Sequence, residues 1–343
     1  MPSGYLQSRL EPALLSLVVP CYNEEESLPL LAAEITRFIN ASPYTCEVIL
    51  VNDGSTDRTL QFLVDWSARD RRIKVLSFSR NFGHQLAATA GVDYAAGDAV
   101  VLVDADLQDP LDVIHQMVVE YRNGYDVVCG QRSLRAGENL FKRGTAWFFY
   151  RLMRTFFLPS LPPDVGDFRL MSRRCVSSLS SMRELHRFLR GMVAWVGYPQ
   201  ICVRYERQPR VAGTTKYPLS RMIRLAWNAA VSFSPLPLRM SFFAGAIMAL
   251  LAIEEAVRAL VAYHSGRTVP GWTSLMIVLC ISNAALLITV GILGEYVGRI
   301  FEESKGRPLY IVADAWNLAP RSETQPSDRP SDLEHRPATP GRR

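Results

Sequence analysis

The fold class that the sequence predicts is an α/β domain on a doubly wound, mostly parallel sheet, followed by interfacial amphipathic helices and a two-helix transmembrane hairpin. Three observations carry it. Residues 14–130 alternate short apolar strands with amphipathic helices. The uncharged run Ala99-Val100-Val101-Leu102-Val103 leads directly into Asp104-Ala105-Asp106-Leu107-Gln108-Asp109. Trp272 to Gly294 then runs about 23 residues without a charge, enough to span a bilayer.

In chain order, strands are expected at Leu15–Val19, Val48–Val51, Lys74–Ser77, Ala99–Val103 and Asp126–Val128. Helices are expected at Ser27–Ile39, Thr56–Ala68, Gly83–Ala95 and Pro110–Arg122. Thr56 or Asp57 suits the cap of the second helix, and Pro110 suits the first turn of the fourth. Lys216 to Phe233 mixes basic and apolar residues at helical spacing, which reads as a helix lying in the membrane interface. Ser241 to Tyr263 is the expected first span, interrupted by Glu254, Glu255 and Arg258. A lone charge at mid-membrane costs about 2.5–3.5 kcal/mol, and Glu254 and Arg258, one helical turn apart, offset that by pairing. The link from Tyr263 to Gly271 is too short for a domain, so the two spans form a hairpin. Lys and Arg gather at its outer ends, which places both ends on the cytoplasmic side.

The expected organisation is an N-terminal extension (1–13), a catalytic-type domain (14–211), interfacial helices (212–237), the hairpin (238–299) and a C-terminal segment (300–343). That last segment turns polar and Pro-rich after Trp316, the composition of a disordered tail. The first residues lack the basic-then-apolar pattern of a signal peptide, so the first domain is expected in the cytoplasm. The formal net charge of +5 is too small and too scattered to argue for nucleic acid. Arg221, Arg224, Arg239, Arg299, Lys305 and Arg307 sit near apolar segments, which suits an anionic membrane surface. The cysteines (Cys21, Cys46, Cys129, Cys175, Cys202, Cys280) show no metal-ligand spacing and read as free thiols.

The chemistry-bearing residues fall at one edge of the predicted sheet. Two carboxylates one residue apart at the carboxyl end of a buried strand lie where open α/β sheets place ligands. Side chains two apart in extended backbone point the same way, so Asp104 and Asp106 are expected to converge on a hard cation holding a diphosphate. The first strand ends in Pro20-Cys21-Tyr22-Asn23-Glu24, an aromatic and acidic turn suited to a nucleobase and ribose. The second ends in Asn52-Asp53-Gly54-Ser55, where Asp53 either holds the nucleoside or caps a turn. The third leads to Ser79-Arg80-Asn81-Phe82-Gly83-His84, where Arg80 can meet a phosphate; His84 is expected to be a packing or surface residue.

Together these four segments resemble the inverting GT-A glycosyltransferases of the dolichol-phosphate-mannose-synthase type, whose domain is a Rossmann-like, mostly parallel sheet. Gly166-Asp167-Phe168-Arg169-Leu170-Met171, Ala212-Gly213-Thr214-Thr215-Lys216-Tyr217 and Gly294-Glu295-Tyr296-Val297-Gly298-Arg299 narrow the resemblance to the bacterial polyisoprenyl-phosphate glycosyltransferases, the bactoprenol glucosyltransferase group. The resemblance implies transfer of a hexose, glucose from UDP-glucose in the favoured case, to polyprenyl (undecaprenyl) phosphate at the inner membrane. It implies nucleotide-sugar contacts from Pro20, Tyr22, Glu24, Asp53, Arg80, Asp104, Ala105 and Arg132. Mg²⁺ or Mn²⁺ is implied at Asp104, Asp106 and Gln108, and an acceptor phosphate at Arg143, Arg169 and Lys216. Asp167 and Asp106 are the implied catalytic carboxylates, and a homo-oligomer such as a tetramer is an expected assembly. His84 stands where a lysine is common in that family.

The residue types agree with this chemistry. Sugar transfer builds charge on the leaving diphosphate, which a divalent cation and an arginine stabilise. A phosphate monoester is largely anionic at neutral pH, so a strong base is not required, and Asp167 either orients the acceptor or takes a residual proton. A processive polysaccharide synthase is disfavoured because neither a Gln-x-x-Arg-Trp motif nor further spans are present. A non-catalytic sugar-nucleotide scaffold is disfavoured by the joint retention of Asp53, Asp104, Asp106, Gln108 and Asp167. A dinucleotide oxidoreductase lacks its Gly-x-Gly-x-x-Gly turn after the first strand.

Overall fold

A computed structural model describes residues 6–132, 165–206 and 271–318, together with part of 243–265. The expected interfacial helices (212–237), Arg143 and Lys216 lie outside the described residues.

The first half follows the alternation in its hydropathy. In order come β1 (Leu14–Cys21), α1 (Leu28–Ala41), β2 (Thr45–Asn52), α2 (Thr59–Arg69), β3 (Ile73–Phe78), α3 (His84–Tyr94), β4 (Ala99–Leu102), α4 (Val113–Arg122) and β5 (Val127–Arg132). Then follow β6 (Val165–Ser172), α5 (Arg173–Ser181), α6 (Leu189–Val196), β7 (Gln200–Tyr205), α7 (Trp272–Ser304) and β8 (Val312–Trp316). The eight described strands form one sheet in the order β7-β5-β6-β4-β1-β2-β3-β8.

The sheet is mixed yet mostly parallel, as expected, six of the eight described strands pointing one way. Strands β4, β1, β2 and β3 are mutually parallel, whereas β6 runs antiparallel between β4 and β5, and β8 runs antiparallel along β3. Strand β6 escapes a hydropathy reading because Asp167 and Arg169 interrupt it, yet both are buried, at 5% and 2% exposure.

Helices cover both faces, as a buried sheet of Val, Ile and Leu requires. On one face Leu15, Leu17 and Val19 pack with Leu31 and Ile35 of α1, Leu63 of α2 and Met117 of α4. On the other, Val18, Ile49 and Leu76 pack with Ala87 and Ala88 of α3, Val176 of α5 and Met192 of α6. Helix α3 sits so close that a Cβ on Gly91 would lie 2.2 Å from Val18.

At the end of the sheet away from the candidate site, polar groups are buried in pairs. The Glu47 carboxylate accepts from Ser16, Lys74 and the Ala96 amide, joining the first three strands to the turn before β4. Asp126 accepts from Arg9, Arg174 and the Ser172 hydroxyl.

Within α7, Ile281–Ser304 is 24 residues long with mean hydropathy 1.6 and none of it buried; it is the one helix among the described residues long and apolar enough to cross a membrane. This window lies toward the C-terminus of the expected Trp272–Gly294 span. Of the expected first span, the described residues are helical, and Ile247, Leu250, Ile253 and Val261 are exposed. After α7 the chain returns as β8, and Asn317 donates to the carbonyls of Ser67 and Ile73. The expected C-terminal segment thus contributes a sheet strand before Trp316.

Burial pushes the Asp126 carboxyl up, but Arg174, Ser172 and Arg9 outweigh it and hold the carboxyl below its ordinary range. This group therefore adds stability above the ordinary Asp value of about 4, lost as the pH falls through its lower native value. Asp126→Ala is expected to cost about 1–3 kcal/mol by leaving the buried Ser172 hydroxyl and the two arginines without their acceptor. Denaturant titrations at pH 7 and pH 3.5 check it, the difference between wild type and variant shrinking at the lower pH.

Candidate functional site

The loops leaving β1, β2, β3 and β4 meet at the carboxyl edge of the parallel strands, and they are tied to one another. Asn23, left-handed at φ 53°, donates its amide to Ser55 Oγ (3.0 Å), and its side chain accepts from the Thr56 amide (2.8 Å). The Glu24 amide donates to Thr59 Oγ1 (2.9 Å), and the Ser27 hydroxyl donates to Glu24 Oε2 (2.6 Å). Pro20 is buried at the strand end, whereas the Tyr22 ring is 45% exposed and presents a face to the edge.

Asp53 is 2% exposed. Its carboxylate accepts from the backbone amides of Phe82 (2.7 Å) and Gly83 (2.9 Å), so it holds the turn that begins α3. The turn-capping alternative is thus the one visible, directed at α3 and not at the neighbouring α2. Asp57 serves α2 itself, accepting from the Thr59 amide (2.9 Å). Gly54, at φ 64°, makes the approach possible: a Cβ there would lie 2.4 Å from the Arg80 carbonyl carbon. Arg80 is exposed, its guanidinium 4.0 Å above the Phe82 ring.

Strand β4 ends at Leu102, and residues 105–106 form a turn, so extended backbone does not account for the placement of Asp104 and Asp106. Leu107 adopts φ 55°, a conformation costing a non-glycine residue about 1–3 kcal/mol and found where a site imposes it. The Gln108 amide donates to Asp106 Oδ1 (3.3 Å), while Gln108 Oε1 is buried without a hydrogen-bond partner among the described residues. Ala105 is buried, and Asp109 is held by the Tyr205 hydroxyl.

Strand β6 brings Asp167 to the same edge, next to Asp104. His84, in the first turn of α3, lies between them: its Nε2 is 3.6 Å from Asp104 Oδ1 and 3.5 Å from Asp167 Oδ2. One ligand atom from each of the three lies within 4.8 Å of the others. His84 is thus a surface residue, as expected, that stands beside both carboxylates. Arg190 of α6 grips Asp167 with both ends of its fork, Nε to Oδ1 at 2.7 Å and a terminal nitrogen to Oδ2 at 3.1 Å. Gln85 Nε2 approaches Asp167 Oδ2 at 3.5 Å, and its Oε1 accepts from the Leu189 amide at 3.0 Å.

Arg169 was expected at an acceptor phosphate. The structure instead buries it, with one terminal nitrogen on the Gly166 carbonyl (2.9 Å), where its charge serves Asp167. The Arg132 backbone closes β5 opposite Tyr205.

Electrostatics separate the two carboxylates. Burial, with Asp167, Asp109 and Asp106 adding, pushes Asp104 up to about 6 against the opposing pull of His84. Burial also acts to raise Asp167, but the His84 hydrogen bond and the Arg190 and Arg169 charges win and hold it well below the carboxylate range. The donor set fits a hard divalent cation: Asp104 and Asp106 offer carboxylates, and the buried Gln108 Oε1 is an unsatisfied acceptor on the same turn.

Sequence reasoning missed His84, Gln85 and Arg190. A signal existed for the first two, since they open α3 at the carboxyl edge of β3. Arg190 had none, because its partner lies 23 positions away on another element.

The segment from 16 to 179 matches the glycosyl transferase family 2 model. An uncharacterized glycosyltransferase of Synechocystis, sll0501, is 43% identical over 305 residues, covering 89% of this chain and 96% of that protein. The bactoprenol glucosyl transferase of Shigella phage SfV is 38% identical over 299 residues, covering 87% and 97%. A crystal structure of Mycobacterium tuberculosis glucosyl-3-phosphoglycerate synthase with Mn²⁺ and UDP-glucose is 19% identical, covers 63% of this chain and 76% of its own, and has a TM-score of 0.42. The chain belongs to glycosyl transferase family 2. Its relatives over most of its length include bactoprenol glucosyl transferases.

Because Gly54 combines a left-handed backbone with contact against the Arg80 turn, Gly54→Ala is expected to lower stability by about 1–3 kcal/mol. Thermal unfolding reads the stability loss.

Proposed function

We propose that this chain transfers a hexose, glucose from UDP-glucose in the favoured reading, onto polyprenyl (undecaprenyl) phosphate with inversion at the sugar. The same reaction with GDP-mannose or an amino sugar is the alternative. The observation that carries the reading is the convergence of Asp104, Asp167 and His84 at one sheet edge, in a chain whose bactoprenol-transferase relatives align over 87% of it.

An oxygen of the acceptor phosphate attacks the anomeric carbon from the face opposite the leaving group. The new bond joins that carbon to the lipid phosphate, and the bond to the nucleoside diphosphate breaks. Tyr22, Glu24 and Pro20 form the nucleoside end, Asp53 holds the turn that presents Arg80, and Arg80 meets the diphosphate with Arg132. Asp104, Asp106 and Gln108 hold Mg²⁺ or Mn²⁺, which supplies charge neutralisation for the leaving diphosphate. Ala105 gives the turn a side chain small enough to be buried there. An acceptor phosphate is already largely anionic at neutral pH. Asp167, held well below the ordinary range, is accordingly assigned to orienting the acceptor rather than to deep proton abstraction. Arg143 and Lys216 are assigned to the acceptor phosphate.

The membrane arrangement is proposed on the same footing. The spans at about 241–263 and 272–294 form a hairpin in the inner membrane, with the catalytic domain and both termini in the cytoplasm. The apolar exposure of α7 supports this, and a tetramer is compatible with spans packing between protomers.

The test is transfer of radiolabelled sugar from a panel of UDP- and GDP-sugars to polyprenyl phosphate, with Mg²⁺, Mn²⁺ or EDTA. One donor is expected to give labelled lipid that EDTA abolishes; nucleotide binding without lipid product from any donor would return the scaffold reading. Asp106→Ala is expected to remove metal-dependent turnover while the protein stays folded and membrane-bound, as circular dichroism and sedimentation with membranes check. Asp167→Asn is expected to lower the rate more than donor affinity, and equal losses would make Asp167 a binding residue.

A further inference from the structure

A line of contacts runs from the C-terminal end of the long apolar helix to the Asp167 carboxylate. Glu303 Oε1 accepts from the Leu185 amide (2.7 Å), and Glu302 Oε2 lies 2.7 Å from His186 Nε2. These residues form the lead-in to α6. Three residues on, the first amide of α6, that of Leu189, is taken by Gln85 at 3.0 Å. The next residue is Arg190, with its fork on both oxygens of Asp167.

The fork matters as geometry. Two parallel N–H···O contacts from a planar guanidinium fix both the position and the plane of a carboxylate, which one contact from an ammonium does not. Asp167 starts out on a strand, a rigid element, but its side chain still has a rotatable χ1 and χ2. Arg190 removes that freedom from one side, while His84 and Gln85 close the other. The guanidinium itself is 30% exposed and reaches the site only from α6, so its position follows the lead-in to that helix. Among the described residues, the contacts holding that lead-in from outside the domain come from Glu302 and Glu303.

We propose that Arg190 is a positioning residue for the acceptor reaction: it sets the orientation of Asp167, and the docking of Glu302 and Glu303 on residues 185–186 sets Arg190. The inference rests on the proposed transfer to a lipid phosphate. Its physical sense is that the helix held in the bilayer also aligns the carboxylate facing an acceptor that arrives from the bilayer. Exposed ion pairs such as His186–Glu302 contribute little to stability, so the latch acts on alignment more than on folding.

The test uses the full chain in lipid nanodiscs, with Arg190→Lys, Arg190→Gln and the double variant Glu302→Gln/Glu303→Gln. Each is measured for turnover to lipid product, nucleoside-diphosphate-sugar affinity by calorimetry, and thermal midpoint. Removing an outer partner of a site group typically costs about 10–100-fold, so Arg190→Gln is expected to lower kcat by about 100-fold. Donor affinity is expected within about threefold of wild type. Arg190→Lys is expected to recover part of the loss, because it keeps the charge and loses the fork. The double variant is expected to lower kcat about tenfold with donor affinity and midpoint unchanged.

Unchanged kcat in Arg190→Gln overturns the inference, as does a loss confined to donor affinity, which would place Arg190 on the donor. A parallel fall of midpoint and kcat, with neither restored by lysine, makes it a structural residue. Full kcat in the double variant overturns the latch. If wild type makes no lipid product from any donor, the proposed function itself fails and the inference falls with it; if wild type is active and the variants match it, only the inference fails.

Discussion

Crowding of negative charge at one edge of the sheet is the constraint on which the candidate site depends. Oxygens of Asp104 and Asp167 come within 4.8 Å of each other. Two full charges at that separation repel by about 3 kcal/mol at an effective dielectric of 20. The fold answers asymmetrically. Asp167 receives Arg190, Arg169 and His84 and stays ionised, whereas among the described residues Asp104 receives only His84 and is driven up to about 6. One carboxylate is thus a fixed anion supported entirely by protein. The other is under-compensated by protein, the condition in which a divalent cation gains most by binding.

The sequence revealed the parallel half of the sheet because the physics there is local. Strands β1 to β4 are buried on both faces and read as apolar runs, and their connecting helices carry one apolar side. The carboxyl-edge motifs were visible for the same reason: a polar cluster directly after a buried run has few places to go. Legibility ended where partners are distant in sequence. Strand β6 carries a buried aspartate held by groups from α3 and α6, and a buried arginine bonded to a carbonyl of its own strand. Strand β8 follows the most apolar helix of the chain and looks like the start of a tail until β3 is there to pair with it.

The site residues divide along the same line. Asp104 and Asp106 announced themselves by type and place, Asp167 only through the family resemblance. Asp53 was visible, but its task was not, since the amides it holds belong to a turn formed about 30 residues later. His84 was set aside because a lone histidine at a helix start has no evident partner, and its partners became apparent only when β4 and β6 lay side by side. The intended convergence of Asp104 with Asp106 came from treating residues 104–106 as extended. The strand ends two residues earlier, and the left-handed Leu107 shapes the turn instead.

The order of strands adds a final constraint on how the apolar helix relates to the site. The chain leaves the sheet from β7, at one edge, and returns as β8, at the other. Everything between, α7 included, is therefore tied to the domain at both ends. At its return Tyr310 donates to Asp93 and stacks on Phe78, and Asn317 fastens the strand to the carbonyls of Ser67 and Ile73. A domain hung on one tether would sample many heights and tilts above a bilayer, and each encounter with a membrane-held phosphate would pay that orientational entropy anew. The return through β8, paired with β3 and fastened to the carbonyls of Ser67 and Ile73, removes part of it in advance.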